Sequence, residues 1–351
     1  MKIAVLMGGV SEEREVSLQS GIQVVDALRA AGHEALALDT SHGVLSPEEE
    51  EALRGSGIKE PAPPSLSRDL LVTGDTGFLV RNPELADADL VFPALHGGSG
   101  EDGTLQTLLE LAGVPFVGSG RVGCALAMDK DLSKRLLRDA KVPTPRWFLA
   151  RGREEGMAIL DEVERELGLP LIVKPASGGS TLGLTLVHRK GELPGALDLS
   201  LAYEEAVLFE AYVRGREVTV GIVGEEALPV GEILPEHELF DYECKYKPGM
   251  AREIFPAPLS DETARKIQIE ALKAHRALNL RDFSRVDFIL DQEDTPWCLE
   301  ANALPGLTAN SLLPKAAAAA GLQFPEFCHR LAEMALKRWN LGGNRGGGVG
   351  V

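Results

Sequence analysis

The sequence predicts an open α/β domain with parallel strands, followed by a largely antiparallel α+β region. Three observations predict it. The apolar run 2–6 ends at Gly8-Gly9 and leads into a segment carrying Leu18, Ile22, Val25 and Leu28 at helical spacing, which is how a parallel sheet begins. Runs 35–39 and 90–95 supply further apolar segments of strand length. From Leu171 onward the texture changes to a succession of short strand-like segments.

Along the chain, Gly8-Gly9 permits a tight turn, and Ser11 is placed to cap a helix whose first turn holds Glu12 and Glu13. Gly32 closes that helix. Residues 41–82 are polar and irregular, with Glu48-Glu49-Glu50-Glu51 and Pro61-Ala62-Pro63-Pro64, and read as a surface excursion. After strand 90–95 comes the stretch His96-Gly97-Gly98-Ser99-Gly100-Glu101-Asp102-Gly103, then a helix with Leu105, Leu108 and Leu109. A further helix spans about 129–140 and stops before Pro143 and Pro145. Strand candidates follow at 171–175, 184–189, 207–213, 217–224, 227–235, 284–290 and 297–302, with one long helix near 260–278. The Gly-rich stretch from Gly342 to Gly348 cannot pack and is expected to be disordered.

A chain of 351 residues that is 44% hydrophobic can bury a substantial core over two or three domains. Its net charge of -17 argues against non-specific nucleic-acid binding, because a phosphate backbone would be repelled. An anionic small molecule stays possible where lysines, arginines and metal gather in a cleft. No apolar stretch approaches the roughly 20 residues a membrane helix needs, and the first residues lack the form of a signal peptide. Cys124, Cys244, Cys298 and Cys328 are widely spaced and show no metal-ligand pattern. Reduced thiols in a cytoplasmic protein are the expectation.

Four constellations carry chemistry. A strand ending in Lys174 delivers an ammonium to the small-residue loop Pro175-Ala176-Ser177-Gly178-Gly179-Ser180-Thr181-Leu182-Gly183, whose N–H groups can cradle phosphate. It is neither a Walker A loop nor a dinucleotide-binding glycine fingerprint; taken alone it is equally a flexible hairpin. Asp287, Glu300 and Asn302 sit on two strands joined by a polar turn, with Val286, Phe288, Leu299 and Ala301 alternating between them. Alternation puts Glu300 and Asn302 on one face, and Asp287 joins them if the strands pair, giving three oxygen ligands suited to Mg²⁺. Pro305-Gly306-Leu307-Thr308, with Ser311, forms a turn able to offer N–H groups to an oxyanion or carboxylate. Asp241-Tyr242-Glu243-Cys244-Lys245-Tyr246 has the composition of a loop that closes over a site.

In this order the motifs resemble the D-alanine–D-alanine ligase family. The resemblance rests on Gly8-Gly9 with Glu13-Arg14-Glu15-Val16-Ser17, on the 96–103 stretch, and on Met128-Asp129-Lys130. It continues through 174–183, 241–246, Arg285-Val286-Asp287-Phe288 and Glu300-Ala301-Asn302 to Pro305-Gly306. It runs from residue 1 to about 335, apart from the 41–82 excursion.

The resemblance implies an ATP-grasp fold: an N-terminal open parallel α/β domain at 1–118, and two α+β lobes, 119–212 and 213–340, enclosing ATP ahead of a tail at 341–351. Lys130 and Lys174 would contact the ATP phosphates under a loop of Gly179, Ser180 and Thr181. Glu210, Tyr212 and Val213 would form the adenine hinge, with Glu217 at the ribose and Lys245 also at the nucleotide. Asp287, Glu300 and Asn302 would hold two Mg²⁺ ions, for which Mn²⁺ can substitute. Glu15 would bind the first D-alanine's amino group, Arg285 and Gly306 the tetrahedral intermediate, and Ser311 the second carboxylate. His96 and Leu312 would complete the substrate pocket, and Tyr246 would help select the second substrate. The expected product is D-alanyl-D-alanine for peptidoglycan precursor synthesis, made by a cytoplasmic homodimer. The alternative is a related ligase taking another D-amino acid or a D-hydroxy acid, such as D-serine or D-lactate. A nicotinamide-dependent oxidoreductase would leave the Lys174 loop and the oxygen triad unexplained.

Overall fold

The computed structural model describes residues 1–11, 13–55, 85, 87–178, 182–235 and 250–342. Glu12, most of the expected excursion, the loop residues Gly179, Ser180 and Thr181, the 241–246 segment with Lys245 and Tyr246, and the tail beyond 342 lie outside the described residues.

The first sheet is the expected parallel one. β1 (Lys2–Met7) lies between β2 (Glu34–Asp39) and β4 (Leu90–Pro93) and pairs with both in parallel. β3 (Gly43–Val44) adds an antiparallel edge to β2. The apolar run makes β1 fully buried from Ile3 to Met7, since a parallel strand is covered on both faces. Helix α1 (Arg14–Ala30) covers one face with Leu18, Ile22, Val25 and Leu28. It starts later than expected. Ser11 makes no cap; its hydroxyl donates to the His96 carbonyl at 2.5 Å and ties the glycine-rich loop to α1. Gly32, at φ 86°, ends the helix as expected.

The 41–82 stretch is not irregular throughout. Its described part holds β3 and α2 (Pro47–Gly55), and Glu50, one of the four consecutive glutamates, is buried. Arg29 grips it with two nitrogens at 2.6 and 2.9 Å, and Arg54 adds a third contact, so the carboxylate is held below its usual range against the opposing effect of burial.

Gly8 stands where only glycine fits. Its φ is 74°, and a Cβ there would sit 2.5 Å from Asp39 Oδ1 and 2.7 Å from Arg14 Nη1. Those two groups form the ion pair that braces the β1–α1 turn, with Arg14 also donating to the Gly9 carbonyl at 2.7 Å. Gly8→Ala is expected to cost about 1–3 kcal/mol through a strained φ and a displaced ion pair. A fall in the urea midpoint at constant slope checks it; no fall would mean the turn relaxes freely.

Helices α3 (Thr104–Leu111), α4 (Arg121–Met128) and α5 (Lys130–Asp139) lead out of the first sheet. The second sheet has the order β5-β8-β6-β7 and is antiparallel: β5 (Trp147–Arg151), β6 (Leu171–Pro175), β7 (Thr185–Val187) and β8 (Ala206–Ala211). Helices α6 (Gly152–Leu167) and α7 (Leu193–Leu201) pack on it around Val163, Leu197 and Phe209. The region beyond 171 is therefore not a bare run of strands with one helix. Leu193, Ala196, Leu197 and Ser200 give α7 its buried face.

The third sheet runs β12-β11-β9-β13-β14, with β10 also on β9. Its strands are β9 (Arg216–Val223), β10 (Glu226–Ala227), β11 (Gly231–Pro235), β12 (Ala251–Ile254), β13 (Phe283–Leu290) and β14 (Pro296–Asn302). The stretch 227–235, expected as one strand, is thus divided between β10 and β11. Helix α8 (Asp261–Ala277) covers one face, capped by Ser260, whose hydroxyl accepts from the Thr263 N–H.

Helices α9 (Leu312–Ala319) and α10 (Phe324–Gly342) return to the first sheet. Phe327, Leu331, Ala332 and Ala335 of α10 share one core with β1, β2 and β4. No helix among the described residues is long and apolar enough to cross a membrane. Cys124, Cys298 and Cys328 are free and buried; Cys244 is outside the described residues.

His275 of α8 is almost fully buried and bonds Ser284 Oγ at 2.7 Å. Burial pushes its imidazole down to about 4, from an ordinary 6.5. The unfolded chain therefore takes up this proton first as pH falls. Its contribution to stability is complete above pH 6.5 and declines towards pH 4, by about 3 kcal/mol in all. Denaturant titrations at pH 7 and 4.5 are expected to show a smaller acid loss in His275→Gln than in the parent; equal losses would refute this account.

Candidate active site

A cavity of about 330 Å³ opens between the second and third sheets. Its walls include Lys130, Lys174, Glu210, Tyr212, Val213, Glu217, Asp287 and Glu300. Eight residues singled out in the sequence thus meet in one place. They are contributed by β6, β8 and the segment after it, β9, the β13–β14 hairpin, and the start of α5.

On one wall, β6 and β8 are antiparallel, with Ile172 opposite Glu210 and Lys174 opposite Leu208. Lys174 and Glu210 are therefore diagonal neighbours on one face. Lys174 Nζ donates to Glu210 Oε1 at 2.8 Å. Lys134 of α5 reaches the other oxygen, Oε2, at 2.6 Å, and also donates to Thr144 Oγ1 at 2.7 Å. Glu210 and Lys134 are only 2% and 1% exposed, so each charge needs its partner. Burial alone would push the Glu210 carboxyl up, but the two ammonium groups outweigh it and hold it below the usual range. Two cations around one anion leave a positive excess on this wall. Glu210, read from the sequence as part of the adenine hinge, spends its carboxylate on these lysines.

On the other wall, β13 and β14 pair as the alternation required. Asp287 faces Glu300 and Arg285 faces Asn302. Asp287 is buried; it accepts from Thr219 Oγ1 at 2.6 Å, from Arg285 Nε and Nη2 at 2.9 and 2.8 Å, and from Asn302 Nδ2 at 3.0 Å. Lys130 Nζ lies 3.7 Å from Glu300 Oε2 and donates to the Gly178 carbonyl at 2.5 Å. It therefore bridges the two walls at the foot of the small-residue loop. Two carboxylates and one amide form a hard-oxygen donor set. Asn302 turns its NH₂ to Asp287, which leaves its side-chain carbonyl for a cation. These residues fit Mg²⁺.

The remaining expected residues lie outside the walls of this cavity. Glu15 is half-buried in the first turn of α1. His96 is buried, with Nε2 2.9 Å from Ser20 Oγ of α1 and Nδ1 3.4 Å from Glu101 Oε1. Ser311 precedes α9, and its hydroxyl lies 2.8 Å from Thr308 Oγ1. A Cβ on Gly306 would come within 2.8 Å of Ser311 Oγ, so glycine lets the two approach. Leu312 is buried. The Ala309 N–H donates to Gln23 Oε1 at 2.8 Å, so the 306–311 loop is fastened to the helix that carries Glu15. The His96 loop follows the carboxyl end of β4 and touches α1 through Ser20, at the edge where open α/β sheets bind ligands.

Sequence reasoning missed Lys134, Thr219 and Glu232. Glu232 lines the cavity, 5% exposed, and is clamped by Arg216 at 2.6 and 2.8 Å. Strand alternation at 217–223 and 231–235 offered a signal for Thr219 and Glu232; nothing local marks Lys134.

Comparison with known proteins settles the family. The model of the D-ala D-ala ligase N-terminus matches residues 2–119, and that of the D-ala D-ala ligase C-terminus matches residues 136–333. The chain belongs to the D-alanine–D-alanine ligase family. A D-alanine–D-alanine ligase from Pelotomaculum thermopropionicum is 38% identical over 348 residues, covering 97% of this chain and 98% of the relative. The Bacillus anthracis ligase complexed with ATP superposes with a TM-score of 0.77 at 29% identity, covering 97% of this chain and 99% of that one. The VanG D-Ala:D-Ser ligase of Enterococcus faecalis gives 0.79 at 31% identity, covering 95% and 99%. The fold is that of the ATP-grasp ligases, and the family is one of ATP-dependent ligases.

Proposed function

We propose that the chain joins two molecules of D-alanine into D-alanyl-D-alanine, with conversion of ATP to ADP and phosphate, as a step in supplying peptidoglycan precursors. The observation that carries this reading is a cavity with the Lys174–Glu210 pair, backed by Lys134, on one wall and the Asp287–Glu300 pair on the other.

A carboxylate is a poor acylating agent, so the first D-alanine attacks the γ-phosphorus of ATP to give an acyl phosphate and ADP. Lys174 and Lys130 hold the phosphate oxygens, and the positive excess around Glu210 offsets the charge that builds on them. Asp287, Glu300 and Asn302 hold Mg²⁺, two ions in this reading, with Mn²⁺ able to substitute. The metal when bound supplies Lewis-acid neutralisation of the phosphates. Glu15 receives the ammonium of the first D-alanine. The second D-alanine's amine then attacks the acyl carbon, and phosphate leaves. Arg285 and the Gly306 N–H face the oxyanion, and Ser311 orients the attacking molecule's carboxylate beside His96 and Leu312. Glu217 takes the ribose, beside an adenine lodged at Tyr212 and Val213. Gly179, Ser180 and Thr181 cover the phosphates. Lys245 reaches the nucleotide, while Tyr246 closes the loop over the second substrate. The working unit is a cytoplasmic homodimer.

A second reading rests on the equally good superposition of the VanG D-Ala:D-Ser ligase, and makes D-serine the second substrate. Phosphate release from ATP with Mg²⁺, measured with D-alanine alone, D-alanine plus D-serine, and D-alanine plus D-lactate, with product masses recorded, separates them. D-alanyl-D-alanine from D-alanine alone is expected. A mixed product made in preference would move the assignment, and no turnover with any of them would remove it.

A further inference from the structure

Beside the edge strand of the second sheet lies a larger groove, about 920 Å³, between β5, α5 and the turn of the β13–β14 hairpin. It plays no part in the ligation described above. Five cations line it; Arg135 pairs with Asp131, while Arg138, Lys141, Arg146 and Arg151 have no carboxylate within ion-pair distance among the described residues. That is unusual in a chain whose net charge is -17. The groove's acidic residues are already engaged. Asp131 accepts from Arg135 Nε and Trp147 Nε1, Glu155 accepts from the Arg151 N–H, and Glu166 pairs with Arg165. Five cations against three carboxylates leave the lining positive.

The groove is also aromatic. Trp147 and Trp297 line it, two of the three tryptophans in the chain. Arg138 lies over the Trp147 ring at 5.4 Å, while Trp297 is half-exposed and held by its N–H donating to Asp291 at 2.7 Å. A fixed ring beside guanidinium groups suits a flat heterocycle that carries phosphate. A long polyanion is disfavoured, because beyond this groove it would meet the chain's negative field. A small one fits within it.

We propose that this groove is a second ligand site, for a small phosphorylated nucleoside whose base stacks on Trp297 and whose phosphates lie among Arg138, Lys141 and Arg146. The site adjoins the catalytic cavity across the edge of the second sheet. Trp147 is paired with Glu210 across β5 and β8, and Lys134, one of the two partners of Glu210, lies 5.3 Å from the Trp147 ring centre.

GTP titrated into Lys174→Met protein, followed by tryptophan fluorescence, tests this, with inorganic tripolyphosphate as the ringless comparator. The parallel titration uses the same protein carrying Arg138→Gln and Arg146→Gln as well, with its melting midpoint checked. Saturable 1:1 quenching is expected, weakened about tenfold or more by the two added substitutions, with tripolyphosphate binding about tenfold less tightly than GTP. Lys141→Gln, on an exposed turn, gives a second reading in the same direction. Absence of saturable quenching, or quenching indifferent to these substitutions, overturns the site. Equal binding of tripolyphosphate overturns its assignment to a nucleoside.

Discussion

Lys174→Met is expected to lower kcat/KM for ATP-dependent ligation by about 10³-fold, roughly 4 kcal/mol of transition-state stabilisation. Methionine keeps the length and the apolar stem of lysine but removes the charge that faces the phosphates. The fold is expected to survive, because Glu210 keeps Lys134 as its partner at 2.6 Å. Steady-state phosphate release and a thermal melt, taken together, check both halves. A loss confined to KM for ATP would mean that Lys174 binds the ground state and the transition state equally. A collapse of the melting midpoint would mean that the ion pair is chiefly structural.

Glu210→Ala is expected to act in the opposite sense, on stability first. Removing this carboxylate strands two ammonium groups in a region where Lys134 is 1% exposed. Breaking a buried pair from one side costs about 3–5 kcal/mol, whereas replacing both partners by apolar groups costs far less. The double variant Glu210→Leu, Lys134→Met is therefore expected to regain much of the stability lost in Glu210→Ala while staying weakly active. Denaturant midpoints of the single and double variants decide it. A double variant no more stable than the single one would show that the trio is not held by charge compensation.

The cavity's two walls differed in how far the sequence disclosed them. Asp287, Glu300 and Asn302 were legible because polar residues alternate there with Val286, Phe288, Leu299 and Ala301, and strand period alone fixes which side chains share a face. Lys174 was legible as the end of a buried strand leading into small residues. Lys134 was not. On a helix it reads as one more solvated lysine, and its burial is imposed by Glu210, which lies 76 positions along the chain. The same blindness hid α2, where a row of glutamates looked like surface until Arg29 and Arg54 were found to enclose Glu50. Ser11 was misjudged because a hydroxyl before a helix has more than one acceptor within reach, and the His96 carbonyl won. Local pattern gave the sheets. Pairings over long separations gave the burial of charge.

The return of α10 to the first sheet bears on the order in which the chain acquires structure during its synthesis. β1, β2 and β4 emerge from the ribosome early, yet the surface they bury includes Phe327, Leu331, Ala332 and Ala335. The sheet whose strands are made first is thus completed among the last. The second sheet draws its core from residues 148–209 and can close while translation continues. Until α10 arrives, the nascent first sheet keeps apolar surface open, and truncation within 324–335 would leave it so permanently.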